Sequence, residues 1–192
     1  MKSDEIKASE PLASKLTGSR RAVVVVTVGL ALVLALIATG IRSLAVDSGL
    51  GDPLVGTQLA ANELHLLGVV PSSERIQIPV QGARILLHFW SPHCRPCLRM
   101  HGTISELAKL VSNRRDRAVF AVTADAVDDV REHLLAHAQR HAILWDPRGR
   151  LHGHLQVDSL PTDVIIDEKG VVVRLWRHPP TKSQLLAALV DP

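Results

Sequence analysis

The chain has no tyrosine, two phenylalanines and two methionines among its 192 residues. A core of this composition must be built from aliphatic side chains. It also lacks any basic run interleaved with aromatics, which argues against a nucleic-acid surface. Cysteine is scarcer still, with two residues, Cys94 and Cys97. A multi-disulfide scaffold and a four-cysteine zinc site are therefore excluded. Disorder along the whole length is excluded as well, because 46% of residues are hydrophobic and only 21% are charged. The basic balance is local. The first 21 residues carry Lys2, Lys7, Lys15, Arg20 and Arg21 against Asp4, Glu5 and Glu10, and without them 17 basic residues face 16 acidic ones.

Charge is missing altogether from Ala22 to Ile41, AVVVVTVGLALVLALIATGI. As a helix, such a segment spans about 30 Å, the thickness of a bilayer's hydrocarbon core. Five basic residues precede it and Arg42 follows it, so the positive-inside rule places the N-terminus in the cytoplasm and everything after Arg42 outside. The apolar stretch exceeds the about 7–15 residues of a secretory signal, although Ser43-Leu44-Ala45 is a passable cleavage site. The segment is read as an uncleaved anchor, 22–41, in the cytoplasmic (inner) membrane after a cytoplasmic tail, 1–21. Beyond it, 42–80 is expected to be a tether and N-terminal extension with a short helix near Leu59–Leu67, and 81–192 a folded domain in the periplasm or outside the cell.

Within 81–192 the pattern alternates. Ile85–Trp90 is an apolar run fit for a buried strand, and Pro96 stands where a first helical turn tolerates it. Ile104, Leu107, Ala108 and Val111 then form a helical stripe, widened by Leu110. Ala118–Thr123 reads as a strand, and a second helix carries Val127, Val130, Leu134, Leu135 and Ala138 on one side. Ala142–Trp145 is a strand ending in the turn Asp146-Pro147-Arg148-Gly149; Asp163–Asp167 and Val171–Trp176 form a hairpin; Thr181 caps a final helix. The class is α/β, a mixed central sheet flanked by helices and preceded by one transmembrane helix.

Cys94 and Cys97 stand in FWSPHCRPCLRM, at the junction of the first strand and the first helix. A helix N-terminus stabilises a thiolate, and Arg95 adds positive charge, so Cys94 is the expected nucleophile and Cys97 the resolving thiol. A structural disulfide would gain little from so short a loop. Haem attachment needs histidine directly after the second cysteine, where Leu98 stands. A copper-binding or metallochaperone module using Cys94, Cys97, His93 and His101 is the alternative class. His133, His137 and His141 fall at i, i+4, i+8 and read as a solvated helix face, and His152 and His154 as surface residues.

FWSPHCRPC, followed far downstream by LPTDVIIDEKGVV, resembles the thioredoxin-like superfamily, specifically the membrane-tethered TlpA/ResA-like thiol–disulfide oxidoreductases, and the Ser-Pro-x-Cys run is similar to MauD. The resemblance implies that Pro161 is a cis-proline facing the disulfide, with Leu160 offering backbone to an extended substrate. It implies protein thiol or disulfide substrates, a membrane-embedded electron partner, no cofactor, and a client that is a redox or haem protein under maturation. Three positions depart from the family. His88 stands where thioredoxins carry a buried aspartate, Met100 where TlpA-like proteins place a glutamate, and His93 where a tryptophan precedes the first cysteine. His88 among apolar neighbours reads as a core histidine bonded to backbone, with a proton relay as the competing reading. His93 and Arg95 together are expected to favour the reduced form and raise the potential, with Trp90 as a further modulating neighbour.

Overall fold

The computed structural model describes residues 25–41, 49–69, 72–137 and 141–190. They fall into two compact units, divided between Ser43 and Leu44. In the first, residues 25–41 form a helix, α1, whose side chains are exposed throughout. Among the described residues no helix is long and apolar enough to cross a membrane. Residues 22–24 of the expected span, the tail 1–21 and the Ser43-Leu44-Ala45 site lie outside the described residues.

The second unit is built on a seven-stranded sheet of order β2-β1-β5-β4-β3-β6-β7. Its strands are β1 (Asn62–Leu67), β2 (Arg75–Ile78), β3 (Arg84–Phe89), β4 (Arg117–Thr123), β5 (Ala142–Trp145), β6 (Thr162–Ile166) and β7 (Val172–Trp176). The helices are α2 (Arg95–Val111), α3 (Val127–Ala136), α4 (Arg150–His154) and α5 (Lys182–Val190). β3, β4 and β5 run parallel, while β6, β7, β1 and β2 are paired antiparallel. β3 lies between β4 and β6 and is buried on both faces. That explains why its sequence, RILLHF, is almost continuously apolar rather than alternating.

The pleat sorts β3 into two sets. Ile85, Leu87 and Phe89 join a core with Leu144, Leu151 and Leu155, on the side of α4. Leu86 packs with Met100, Ile104 and Leu107 of α2 and with Leu185 and Leu189 of α5. Trp90 packs with Cys97 of α2 and Val130 of α3. His88, between Leu86 and Trp90 in sequence, therefore shares the face covered by α2. Thr181 closes α5 with a capping box: its hydroxyl accepts from the Gln184 N–H, while the Gln184 side chain accepts from the Thr181 N–H.

Four expectations about the fold need correction. The described part of the expected tether and N-terminal extension, from residue 49 on, belongs to the folded unit: β1 and β2 occupy one edge of the sheet and Leu59, Leu64 and Ile78 lie in the core. Gly49 docks under Trp176 so closely that any Cβ there would meet the indole at 2.5 Å. The folded unit therefore reaches well before residue 81. The helix expected near Leu59–Leu67 is strand β1, since a short apolar run with little periodicity fits either element and pairing along an edge decides it. Leu110 and Leu135 do not widen the apolar faces of their helices, being 59% and 72% exposed. α3 ends at Ala136 with His137 in extended backbone, so the i, i+4, i+8 spacing does not continue as a helix to His141, and Ala138 lies outside the described residues.

The turn after β5 also starts the short helix α4, which the strand–turn reading had omitted. Asp146 makes it form: its carboxylate accepts from the backbone N–H groups of Arg150, Leu151 and His152 and from the His152 ring at 2.8 Å. Burial pushes this carboxyl up, but the His152 and Arg150 hydrogen bonds outweigh it and the net shift is downward. Asp146→Ala is expected to destabilise the unit by about 2–4 kcal/mol, by losing the cap and leaving buried N–H groups unpaired. Thermal unfolding at neutral pH measures it, and an unchanged midpoint would contradict the cap.

Candidate active site

The C-terminal ends of the parallel strands β3, β4 and β5 carry the loop from Trp90 to Cys94. Such sheets expose loops for chemistry at that end. Ser91 shapes the loop: its hydroxyl accepts from His93 N–H at 3.2 Å and its carbonyl accepts from Cys94 N–H at 3.1 Å. Cys94 is the N-cap of α2 and Pro96 lies in the first turn. The Cys94 sulfur accepts from Cys97 N–H at 3.2 Å, where an unpaired helix donor and the positive end of the helix dipole stabilise negative charge.

Cys94 and Cys97 form a disulfide. The two sulfurs are not equivalent. Cys94 is half-buried at the loop, whereas Cys97 is fully buried in a cluster with Trp90, Ala121, Val130 and Ile143. An incoming group thus meets Cys94 first. The Leu160–Pro161 bond is cis, and Thr162, the next residue, pairs with Phe89. That register brings Pro161 to the same end of the sheet as Trp90. A cleft of about 510 Å³ opens there, lined by Trp90, Asp125, His152, Asp158 and Leu160 among others. Its lining mixes apolar Trp90, Val157 and Leu160 with the acidic groups Asp125 and Asp158.

The residues expected to modulate the pair separate. Arg95 is exposed on the first turn of α2. His93 is also exposed, and its Nε2 lies 3.4 Å from Asp129 of α3, which offsets any positive charge it brings to Cys94. Because His93 turns outward while His101 packs inward on Trp90, with ring centroids 4.8 Å apart, the four proposed copper ligands do not converge. Among the described residues no group of three or more His, Cys, Asp or Glu side chains is arranged to hold a metal ion.

His88 is the largest departure from expectation. Its partner is not backbone but Asp163, with Nδ1 to Oδ1 at 2.8 Å and both side chains fully buried. The two are direct register partners across β3 and β6. Asp163 is not singled out by the sequence, because the register that sets it opposite His88 joins strands 75 residues apart. Of the three histidines expected on a solvated face, His137 is exposed, whereas His133 and His141 turn inward. His133 is buried and its ring lies 5.2 Å from Trp90 and 5.3 Å from His101, while His141 Nδ1 bonds Ser105 of α2. Burial, then the charges of His88, His141, His133 and His137, pushes His101 down to about 3. Burial and then His88 pushes His141 down to about 4, and burial followed by His137 lowers His133. His152, expected at the surface, is engaged by Asp146 and meets Phe89 edge-on at 4.8 Å.

This arrangement of a strand, a C-x-x-C helix and a cis-proline loop has counterparts. The AhpC/TSA family model matches residues 66–175. The chain belongs to the AhpC/TSA family. The match begins inside β1, in keeping with the early start of the folded unit. Among curated relatives, the sporulation thiol-disulfide oxidoreductase A of Bacillus subtilis is 26% identical over 118 residues, 58% of this chain and 70% of that one. The thiol-disulfide oxidoreductase ResA of Bacillus anthracis is 27% identical over 107 residues, 55% of this chain and 61% of that one. The chain thus spans under two thirds of the latter's length. The pneumococcal exposed lipoprotein thioredoxin of Streptococcus pneumoniae strain TIGR4 superposes with a TM-score of 0.61 at 25% identity, covering 69% of this chain and all of that one. The fold is thioredoxin-like.

Proposed function

We propose that this family member is a membrane-anchored thiol–disulfide oxidoreductase that exchanges electrons with exported proteins through Cys94 and Cys97. The observation that carries the reading is the asymmetry of the pair: Cys94 half-exposed at a helix N-terminus and Cys97 sealed beneath it. The names of the relatives support it. In the reducing direction the Cys94 thiolate attacks a substrate disulfide, forming a mixed disulfide and releasing one substrate thiolate. Cys97 then attacks Cys94 Sγ, the second substrate thiolate leaves, and two electrons have passed from the dithiol to the substrate. Leu160, held by the cis bond to Pro161, lines the cleft that receives an extended client segment. The client class we favour is a redox or haem protein with its own cysteine pair.

The 22–41 segment supports anchoring by its length, its lack of charge and the basic residues before it. Two measurements test the reading. Incubation of the reduced full chain with a disulfide-bonded protein should convert two alkylatable cysteines to none, in step with substrate reduction; a chain that stays reduced while the substrate stays oxidised refutes the activity. Alkaline extraction of membranes should leave the chain in the pellet, and protease added outside should remove the domain. Release into the supernatant refutes the anchor alone.

A further inference from the structure

The stretch from Asp146 to His154, DPRGRLHGH, sets two arginines and two histidines in one turn and a short helix, and the exchange chemistry uses neither arginine. Asp146 builds the turn by accepting from the N–H groups of Arg150, Leu151 and His152. Gly149 completes it in left-handed backbone, at φ 60°, a conformation that costs glycine nothing. On α4, Arg150 and His154 are four apart and share one side, whereas His152, two positions on, faces the other way. His152 lines the cleft beside Trp90. Arg150 and His154 line a second cavity, of about 610 Å³, with Arg148 of the turn and Arg75 of β2. The helix α4 thus stands between the two.

Charge in the second cavity does not balance within the protein. Its acids are Glu63 and Asp146. Glu63 is bonded to Arg75 at 2.8 Å, and the Asp146 carboxylate is taken up by the α4 N–H groups and the His152 ring. The side chains of Arg148, Arg150 and His154 make no hydrogen bond or ion pair among the described residues. Elsewhere on the unit Arg114, Arg117 and Arg177 each meet a carboxylate. The cavity therefore offers guanidinium donors without a free charged acceptor, in a concave space of ligand-binding size. Guanidinium forks match carboxylates in two-point contacts. The cleft has the opposite character, since Asp125 and Asp158 line it and repel an acid. Both openings lie at the C-terminal end of the parallel strands, the cavity following β5 and the cleft following β3 and β4. A chain crossing that end meets negative charge beside Trp90 and positive charge beyond α4.

We propose that the cavity of Arg75, Arg148, Arg150 and His154 binds the carboxylates of an acidic client segment that lies to one side of the client's cysteine pair. The inference deepens the exchange activity proposed above and rests on it. Holding the acidic segment beyond α4 selects among clients and sets the direction in which they lie across the cleft. Arg148 and Arg150 carry most of the recognition, because Arg75 is shared with Glu63. They are specificity residues rather than catalytic ones, as they line the cavity and not the cleft.

Two fluorescent peptides without cysteine test binding by itself, one rich in glutamate and glycine and the other with glutamine at each glutamate position. Anisotropy is followed with the oxidised full chain in non-ionic detergent. At low salt the glutamate peptide should bind at least about 10-fold more tightly, and Arg148→Gln with Arg150→Gln should abolish that preference. Lysine at both positions should restore part of it, since charge remains and the fork is lost. Equal binding of the two peptides, or a preference unchanged in the glutamine variant, overturns the proposal. Displacement of the glutamate peptide by an equimolar amount of inorganic phosphate, or of phosphatidylglycerol in the micelle, also overturns it, by assigning the site to phosphate or to a lipid headgroup. Disulfide-bonded forms of the same peptides extend the test to turnover: the glutamate form should show the lower KM, and equal KM values overturn a role in client selection. Intact binding with reduction of neither peptide would instead sink the exchange activity and leave the acidic site standing.

Discussion

Cys94→Ser is expected to abolish exchange with protein disulfides, by at least about 10³-fold, because it removes the attacking sulfur and leaves Cys97 sealed from substrate. Cys97→Ser should behave differently. Its Cys94 still attacks, but no resolving thiol follows, so a mixed disulfide with the client accumulates. Non-reducing electrophoresis of membranes from cells making each variant should show a reducible adduct with Cys97→Ser and none with Cys94→Ser. Mass spectrometry of the adduct identifies the client and the cysteine engaged. Adducts of equal abundance in both variants would contradict the assignment of the two roles. The contrast follows from geometry, since identical residues three apart acquire unequal exposure once α2 begins at the first of them.

Acidification should weaken the folded unit strongly, and the histidines between α2 and α3 set the window. Both His101 and His141 fall from an ordinary value of 6.5 to about 3 and about 4 in the folded state. Below pH 6.5 the unfolded chain therefore binds protons that the folded chain refuses, and stability falls as pH falls. The loss is complete for each ring once pH passes below its folded value. Discounted for the partial access of water to both rings, the two together amount to about 2–3 kcal/mol between pH 7.5 and 4.5. His133, shifted in the same direction, adds to it. Denaturant unfolding of the full chain at the two pH values measures the effect, and His101→Gln should flatten the dependence. Equal stability at both values, or an unchanged slope in His101→Gln, would refute burial as the source.

Much of the site was legible because its signals are local. A C-x-x-C pair after an apolar run and before a helical stripe specifies a helix N-terminus, and the N-cap role of Cys94 follows from neighbours within four residues. The order of β3, α2, β4, α3 and β5 was equally readable, because each element carries its own period. What failed was long-range. β1 and β2 are short, half-exposed strands whose identity depends on pairing with each other and with β5. The periodicity of His133, His137 and His141 suggested a helix face, but α3 stops at Ala136 and tertiary packing turns His133 onto Trp90.

The sequence by itself determined the place of Cys94 and Cys97 at a helix N-terminus and the core strand beneath them, since these rest on contacts between near neighbours. Only the tertiary structure decided what His88 is. Its carboxylate lies 75 residues away, and no local pattern ties the two. Antiparallel pairing of β3 with β6 places them opposite each other, and in a dry interior an imidazole and a carboxylate so placed must bond to one another. His93 shows the converse: adjacent to Cys94 in sequence, it is drawn toward Asp129 by the docking of α3.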